Sequence, residues 1–189
     1  SPFKLGQIEA AAEAVGRPAR VHLKLDTGME RLGVHWDHAD LLLEAAARAR
    51  NVEVVGIFSH LAAAESPDPS FTRLQLERFG HVLERRRRYG LQDAPAHLAN
   101  SGGVFLHPDT HLDMVRPGLA LYGIGPRGPD PRLQPALRLM TRVVYFKVVR
   151  AGSPVSYDGT WVAPEDTRVV TLPVGYGDGY LRALSNRSE

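Results

Sequence analysis

Short apolar runs alternate with longer amphipathic segments over the first two thirds of the chain. Val21–Asp26 and Val52–Ser59 are rich in aliphatic and β-branched residues, so both are predicted to form strands. Apolar residues recur at helical spacing over residues 37–50, and again from about Ser66 to Gly90. This alternation of strand, helix and strand predicts a parallel sheet or barrel.

Capping residues mark where the predicted helices begin and end. Asp37 is a suitable N-cap for the first helix. Asp68 is expected to cap the second, with Pro69 at its first helical position and Gly90 at its end. Two further strands are predicted, at Ala96–Ala99 and Met114–Tyr122.

The pattern becomes rich in strands after a run of prolines and glycines at residues 126–131. Three β-branched or aromatic segments follow and are predicted to be strands: Arg142–Val149, Pro154–Tyr157 and Arg168–Val174. The sequence therefore predicts that a separate, mostly β domain begins in this region.

Composition excludes several classes of protein. The chain has 189 residues, 43% of them apolar, and a net charge of +2, which is typical of a globular protein and not of a disordered one. No run approaches the roughly 18 apolar residues of a membrane span, and the first residues do not resemble a signal peptide. Cysteine is absent, which excludes disulfides and thiolate chemistry. We therefore expect a cytoplasmic protein that does not contact the membrane.

Two other features have ordinary explanations. Arg85–Arg88 falls in the last turn of a predicted helix, where cations complement the helix dipole, and no aromatic residues are interleaved as in nucleic-acid sites. His35 and His38, like His107 and His111, have spacings that metal sites also use, but neither pair has an evident third ligand. We therefore expect neither nucleic acid nor a metal as a partner.

Ionisable side chains cluster at the ends of the predicted strands. His22, Lys24 and Asp26 share one face of the first strand and would point into a barrel near its carboxyl end, where active sites of such barrels lie. A structural ion pair between Lys24 and Asp26 is an equally good interpretation. His60 follows the second strand, and Arg31 lies in a tight loop where its planar guanidinium could bind a carboxylate.

Two later segments add candidates. Asn100 and Ser101 lead into a glycine pair, which suits either an anion site made of backbone N–H groups or a simple helix cap. Arg116 lies within an apolar run and needs a partner there, because burying an unpaired charge is costly.

Five motifs resemble, in order, those of alanine racemases, which are fold-type III pyridoxal-phosphate enzymes. They are LKLDTGMERLG at 23–33, ANS at 99–101, VRPGLALYG at 115–123, VSY at 155–157 and GYGDGY at 175–180. The resemblance implies an α/β fold: residues 1–132 would be the C-terminal part of a (β/α)8 TIM-type barrel, and residues 133–189 the start of a β-rich C-terminal domain.

The resemblance also implies pyridoxal 5'-phosphate as the cofactor. Asn100, Ser101, Gly118 and Leu119 match segments that hold its phosphate. Arg116 matches the arginine that faces the pyridine nitrogen, and His60 matches a histidine beside the ring that is hydrogen-bonded toward that arginine.

Substrate and catalytic roles follow from the same resemblance. Lys24 matches a lysine that is carbamylated in many members and orients Arg31, which would bind the substrate carboxylate and the phenolic oxygen of the cofactor. Tyr157 matches one of two bases, and Tyr176 a tyrosine at the substrate entrance, both supplied by the partner subunit of a homodimer. Two acid/base groups are needed, since racemisation removes a proton from one face of the α-carbon and returns one to the other.

The implied activity is the interconversion of L- and D-alanine, which supplies D-alanine for cell-wall peptidoglycan. A racemase for serine or for a broad range of amino acids is an alternative, because residues outside this segment help to shape the pocket. A non-catalytic pyridoxal-phosphate-binding barrel is another, but such single-domain proteins lack the β domain, and the VSY motif at 155–157 argues against it.

One expected element is missing from the sequence. In the family, the lysine that holds the cofactor and serves as the second base lies upstream, in a VKANAYG motif, and no such motif occurs here. Lys4 and Lys147 lie in unrelated contexts. We therefore expect this sequence to be an internal fragment that lacks about three strand–helix units and the end of the β domain, and to be inactive alone.

Overall fold

Four parallel strands form the sheet of the first of two units in the chain. The computed structural model describes residues 1–187; the first unit comprises Ser1–Ala136 and the second begins at Leu137. The sheet order is β2-β1-β3-β4, with β1 at Ala19–Asp26, β2 at Val34–His35, β3 at Val52–Phe58 and β4 at Ala96–His97. Parallel strands with helices between them confirm the predicted α/β fold.

Four α-helices accompany this sheet. They are α1 (Pro2–Val15), α2 (Ala39–Arg48), α3 (Ser70–Arg85) and α4 (Ser101–Leu106), with short 3-10 turns at residues 36–38, 86–89, 108–110 and 119–122. Among the described residues, none of the helices is long and apolar enough to cross a membrane. The sequence analysis did not predict α1, because only Leu5 and Ala12 of this helix are buried and the periodicity is weak.

The core lies between one face of the sheet and the first three helices. Leu23 and Leu25 of β1 and Ile57 of β3 pack there with Leu43 of α2 and Phe79 of α3, and each is less than 5% exposed. Burial of each such side chain stabilises the fold by roughly 1.5–3 kcal/mol. The predicted alternation along β1 is confirmed, because its intervening side chains lie on the opposite face of the sheet.

Two of the predicted helix starts were wrong by one residue. A 3-10 turn precedes α2, which begins at Ala39 without a side-chain cap, and Asp37 instead contacts the ring of His35. Pro69 occupies the N-cap position of α3, although Asp68 accepts the N–H of Ser70 as a capping residue would. The predicted end of the second helix is confirmed, since Gly90 is left-handed, with a φ of 70°.

The predicted strand Met114–Tyr122 was largely wrong. Met114 makes one parallel bridge with His97, and the Arg116 N–H donates to Ala99. Pairing stops there because Pro117 has no N–H, and the next backbone donors turn toward a side chain. Residues 119–122 then form a 3-10 turn.

The second unit is built from antiparallel pairs. Strand β5 (Tyr145–Val149) pairs with β8 (Thr167–Thr171), and β6 (Pro154–Val155) pairs with β7 (Trp161–Val162). Strands β5, β6 and β8 are shorter than predicted, and β7 was not predicted. Ser156 has a φ of 66° and ends β6, while Pro173 lacks the N–H that continuing β8 would need. Residues 157–159, 176–178 and 182–184 form 3-10 turns.

Candidate active site

The carboxyl end of β1 is shaped by a buried carboxylate. Asp26 Oδ1 accepts the backbone N–H groups of Gly28, Met29 and Glu30 at 2.9, 2.9 and 3.2 Å. Burial by itself raises the pKa of Asp26, but these three donors and the nearby Lys24 outweigh burial and hold the pKa below its usual value. The loop that follows, which carries Arg31, is therefore built around a permanent anion.

Lys24 does not form the ion pair with Asp26 that spacing alone allowed. Among the described residues its Nζ donates instead to the carbonyl oxygen of Leu25 at 3.3 Å, and it lies 5.3 Å from the centre of the Phe58 ring. Burial lowers the pKa of Lys24 to about 8; the Asp26 charge opposes this, and Arg116 and Arg31 lower the pKa further. At pH 7 about a tenth of this amine is uncharged, far more than in an ordinary lysine.

Three predicted site residues line one cavity. Lys24, Arg31 and His60 contribute to a space of about 320 Å³ that Phe58 also lines, at the carboxyl ends of β1 and β3. Burial, followed by the charges of Arg116, Lys24 and Arg31, lowers the pKa of His60. The imidazole is therefore held in its neutral form among cations.

Arg116 has the partners that its apolar surroundings require. One guanidinium nitrogen donates to His97 Nδ1 at 2.6 Å. The other donates to the carbonyl oxygens of Ser59 at 2.7 Å and Leu98 at 3.3 Å, and lies 3.5 Å from His60 Nδ1. Burial lowers the pKa of Arg116 below its ordinary value. The side chain is fixed by acceptors from several elements and none of them is anionic, so its charge is not neutralised.

Asn100 and Ser101 organise a second part of the site. Asn100 caps α4 through Oδ1, which accepts the Gly103 N–H at 3.0 Å, and its amide donates to Leu61. Ser101 Oγ accepts the N–H groups of Gly118 at 2.9 Å and Ala120 at 3.2 Å. These contacts bring the turn that contains Leu119 against the start of α4.

This second part suits a phosphate. Ser101 is 6% exposed, and within residues 1–187 its hydroxyl accepts two hydrogen bonds without an acceptor for its own proton. A hydroxyl donor beside a turn of backbone N–H groups is typical of phosphate binding. The residues present therefore fit a phosphorylated cofactor.

The two tyrosines predicted to act on the substrate lie in the second unit. Tyr157 and Tyr176 line the same cavity, of about 840 Å³, and are 81% and 71% exposed. Tyr157 stands between Ser156 and Asp158, both with positive φ; aspartate adopts this backbone more readily than most residues, and serine less so. The turn thus presents the phenol at the surface of its own unit.

Three residues that support the site were not predicted from the sequence. Gln75, His97 and Gly56 are buried, and each contacts or accommodates a predicted site residue. Gln75 could have been found, because it lies four residues before Phe79 and seven before Val82, on the buried face of α3. His97 and Gly56 carried no comparable signal.

Four of the other histidines and arginines contact backbone carbonyl oxygens. The rings of His107 and His111 lie within hydrogen-bond distance of backbone carbonyl oxygens. Arg85 donates to backbone oxygens of the 36–38 turn, and Arg86 to Ala94. Within residues 1–187, no three histidine or acidic side chains are arranged to hold a metal ion.

Parallel strands with helices between them, and basic side chains gathered at their carboxyl ends, are typical of α/β-barrel enzymes, whose active sites lie at that end of the sheet. Family models for the alanine racemase N-terminal domain and C-terminal domain match residues 1–126 and 136–189. The chain belongs to the alanine racemase family.

Individual relatives agree. The chain is 44% identical to the alanine racemases of Chlorobaculum tepidum, over 95% of the chain and 48% of that protein, and of Symbiobacterium thermophilum, over 98% and 50%. The chain therefore spans about half the length of the curated relatives it matches.

Solved structures give the same result. Alanine racemase from D-cycloserine-producing Streptomyces lavendulae superposes with a TM-score of 0.85 at 37% identity, over 99% of this chain and 51% of that one. Alanine racemase from Bartonella henselae with covalently bound pyridoxal phosphate has a TM-score of 0.76 at 30% identity, over 97% and 50%.

Proposed function

We propose that this chain is part of a pyridoxal-phosphate-dependent alanine racemase that interconverts L- and D-alanine. The observation that carries the proposal is the Arg116 guanidinium, half-buried at the carboxyl ends of parallel strands and held against the neutral ring of His60. The pyridoxal phosphate in the Bartonella henselae racemase supports the choice of cofactor.

The first unit would hold the cofactor. Ser101 and Asn100, with the turn at Gly118 and Leu119, would bind the phosphate, and Arg116 would face the pyridine nitrogen with His60 beside the ring. Bound pyridoxal phosphate supplies an electron sink that weakens the α-C–H bond of an amino acid. A cation at position 116 disfavours a proton on the pyridine nitrogen and thereby moderates that sink.

Arg31 would bind the substrate carboxylate, and Lys24 would orient it. A lysine with a pKa of about 8 is partly unprotonated near neutral pH, which is the form that reacts with carbon dioxide. The resulting carbamate carries a negative charge beside Arg31, where it would fix the direction of the guanidinium. We therefore propose Lys24 as a carbamylated lysine.

Tyr157 would hold and release the proton on one face of the α-carbon, with Tyr176 at the substrate entrance. A phenol has a pKa near 10 in water, so it needs nearby cations to act as a base at neutral pH. Cations such as Arg116 and Arg31 would provide that environment. We propose that both tyrosines are supplied by the second subunit of a homodimer.

The other proton carrier would be a lysine outside these 189 residues, so the chain alone should be inactive. We also propose that the boundary between the barrel and the β-rich domain falls between residues 132 and 133, which lies in the gap between the two family-model matches. We propose that the enzyme is cytoplasmic and supplies D-alanine for peptidoglycan.

The test is Tyr157→Phe in a protein of the relatives' full length that contains these residues. Formation of D-alanine from L-alanine should fall by at least about 100-fold, the lower range of general acid–base contributions, while the absorbance of bound cofactor is retained. Tyr145→Phe, at a tyrosine that is also exposed in the second unit, should be neutral. Unchanged turnover in Tyr157→Phe would show that Tyr157 is not catalytic. Faster racemisation of serine than of alanine would contradict the proposal that alanine is the substrate.

A further inference from the structure

A hydrogen-bonded pair of histidines lies behind Arg116. His22 belongs to β1 and His97 to β4, and β3 lies between these strands in the sheet. Neighbouring strands are about 4.8 Å apart, so residues on β1 and β4 are separated by roughly twice that distance. Even so, His22 Nδ1 lies 2.7 Å from His97 Nε2.

The His22 ring crosses β3 at Gly56 to reach His97. The pairing of β1 with β3 shifts between Val21 and His22, so that Val21 lies beside Val54 and His22 beside Gly56. A Cβ at position 56 would overlap the His22 ring, at both Nδ1 and Cε1. The absence of a side chain at Gly56 is therefore what allows the imidazole to lie across β3 and reach His97.

The direction of the hydrogen bonds follows from Arg116. A guanidinium only donates, so His97 Nδ1, 2.6 Å from Arg116, must be an acceptor. Burial, then the charge of Arg116, lowers the pKa of His97 to about 4, so the ring is neutral and carries its proton on Nε2. That proton is donated to His22 Nδ1, which must be unprotonated to accept it.

The His97 ring has no freedom to turn away. It is 2% exposed and stacks on Phe58, with ring centres 5.0 Å apart and planes 5° apart. Phe58 in turn lies 5.2 Å from the Arg116 guanidinium carbon. Removing the acceptor at position 22 would leave a buried N–H unpaired in a ring that cannot rotate to find another partner.

We propose that His22 is a positioning residue for Arg116, acting through His97, and that Gly56 is the glycine this arrangement requires. The hydrogen bonds run from Arg116 to His97 to His22, and their effect is to hold the guanidinium in one orientation. The value of that orientation for catalysis rests on the proposed function, since only there does Arg116 face a cofactor. The hydrogen bonds between these three side chains do not depend on the proposed function.

The test is NMR of a protein of the relatives' full length that contains these residues, labelled with ¹⁵N in histidine and arginine, at pH 7. The wild-type chain should show His97 as the Nε2–H tautomer, with a scalar coupling across the hydrogen bond to His22 Nδ1. Separate signals should be seen for the two Nη groups of Arg116, because rotation about Nε–Cζ is slow. His97 protonated on Nδ1, or absence of the coupling in the wild-type chain, overturns the proposal without any variant.

Four variants separate positioning from folding. His22→Leu should abolish the coupling and speed Arg116 rotation at least about tenfold, as loss of one hydrogen bond predicts. His22→Asn should restore slow rotation, because Asn Oδ1 lies where His Nδ1 lies. Gly56→Ala should behave as His22→Leu does, whereas Gly80→Ala, where a Cβ meets nothing within 4 Å, should match the wild type.

Two results in the variants would also overturn the proposal: unchanged Arg116 rotation in His22→Leu, or a coupling that survives in Gly56→Ala. None of these readouts needs cofactor or turnover. A racemase that fails the Tyr157→Phe test but shows the coupling would therefore refute the proposed function alone.

Discussion

The side-chain amide of Gln75 donates a 3.0 Å hydrogen bond to the backbone carbonyl of His60. The same amide accepts the Ala62 N–H at 2.8 Å and lies 3.2 Å from Thr27 Oγ1, which in turn contacts Ser59. Gln75 is fully buried in α3. Helix α3 does not line the cavity that Lys24, Arg31 and His60 share. Through Gln75, this helix nevertheless sets the backbone position of His60.

Replacing this amide should loosen the His60 segment. Gln75→Leu leaves the Ala62 N–H and the His60 carbonyl without their partner, and each such buried group costs about 1–3 kcal/mol. We expect the free energy of unfolding, measured by urea denaturation, to fall by that amount or more. Gln92→Leu, at an exposed glutamine, should change it by less than about 0.5 kcal/mol. Equal losses in both variants would show that the buried hydrogen bonds are not the cause.

Lys24 should be chemically distinct from an ordinary lysine. Its pKa of about 8 predicts that the rate of acetylation at this residue, followed by mass spectrometry of the digested chain, rises with pH and reaches half its limit near pH 8. In urea, where burial is lost, the midpoint should return toward 10.5. A folded-state midpoint above about 10 would contradict the burial argument, since that is the ordinary range for lysine.

The same shift predicts how stability depends on pH. The folded-state pKa of Lys24 lies below its unfolded value, so between about 8 and 10.5 the unfolded chain binds a proton that the folded chain does not. The contribution of Lys24 to the free energy of unfolding should therefore rise with pH across this window and be flat below it. Lys24→Met should remove the rise.

Ser101 should matter for cofactor affinity. In a protein of the relatives' length, Ser101→Ala removes the free hydroxyl donor and leaves two N–H groups of the 118–120 turn unpaired. We expect the dissociation constant for pyridoxal phosphate, measured by absorbance titration, to rise by about tenfold. Ser70→Ala, at an exposed serine in α3, provides the control. An affinity that is unchanged in Ser101→Ala would place the phosphate elsewhere.

Periodicity predicted the part of the structure that depends on alternation. The opposite faces of β1 follow from the two-residue repeat of a strand, so His22 and Lys24 were correctly separated from Leu23 and Leu25. The same reasoning located His60 just after β3, beside Lys24 and Arg31 in one cavity. Local patterns suffice where the strand is regular.

Prediction from the sequence failed where a side chain binds backbone N–H groups that a strand would otherwise use. Met114–Tyr122 is apolar enough to be a strand, yet Ser101 takes the N–H groups that a neighbouring strand would have bound. The contact between His22 and His97 depends on a register shift and on Gly56, neither of which has a local signature. Interactions between residues distant in sequence decided both cases.

Asp26 accepts three hydrogen bonds from the backbone of its own loop, and this affects how the charge of Lys24 can change beside Arg31. The three amides stabilise the carboxylate more than Lys24 does, so we expect the loop to keep its shape if the sign of the charge at position 24 reverses. A change of charge at Lys24 would therefore leave the backbone of the loop that carries Arg31 in place. The proposed carbamylation of Lys24 would therefore change the electrostatics of the cavity without unfolding any part of it.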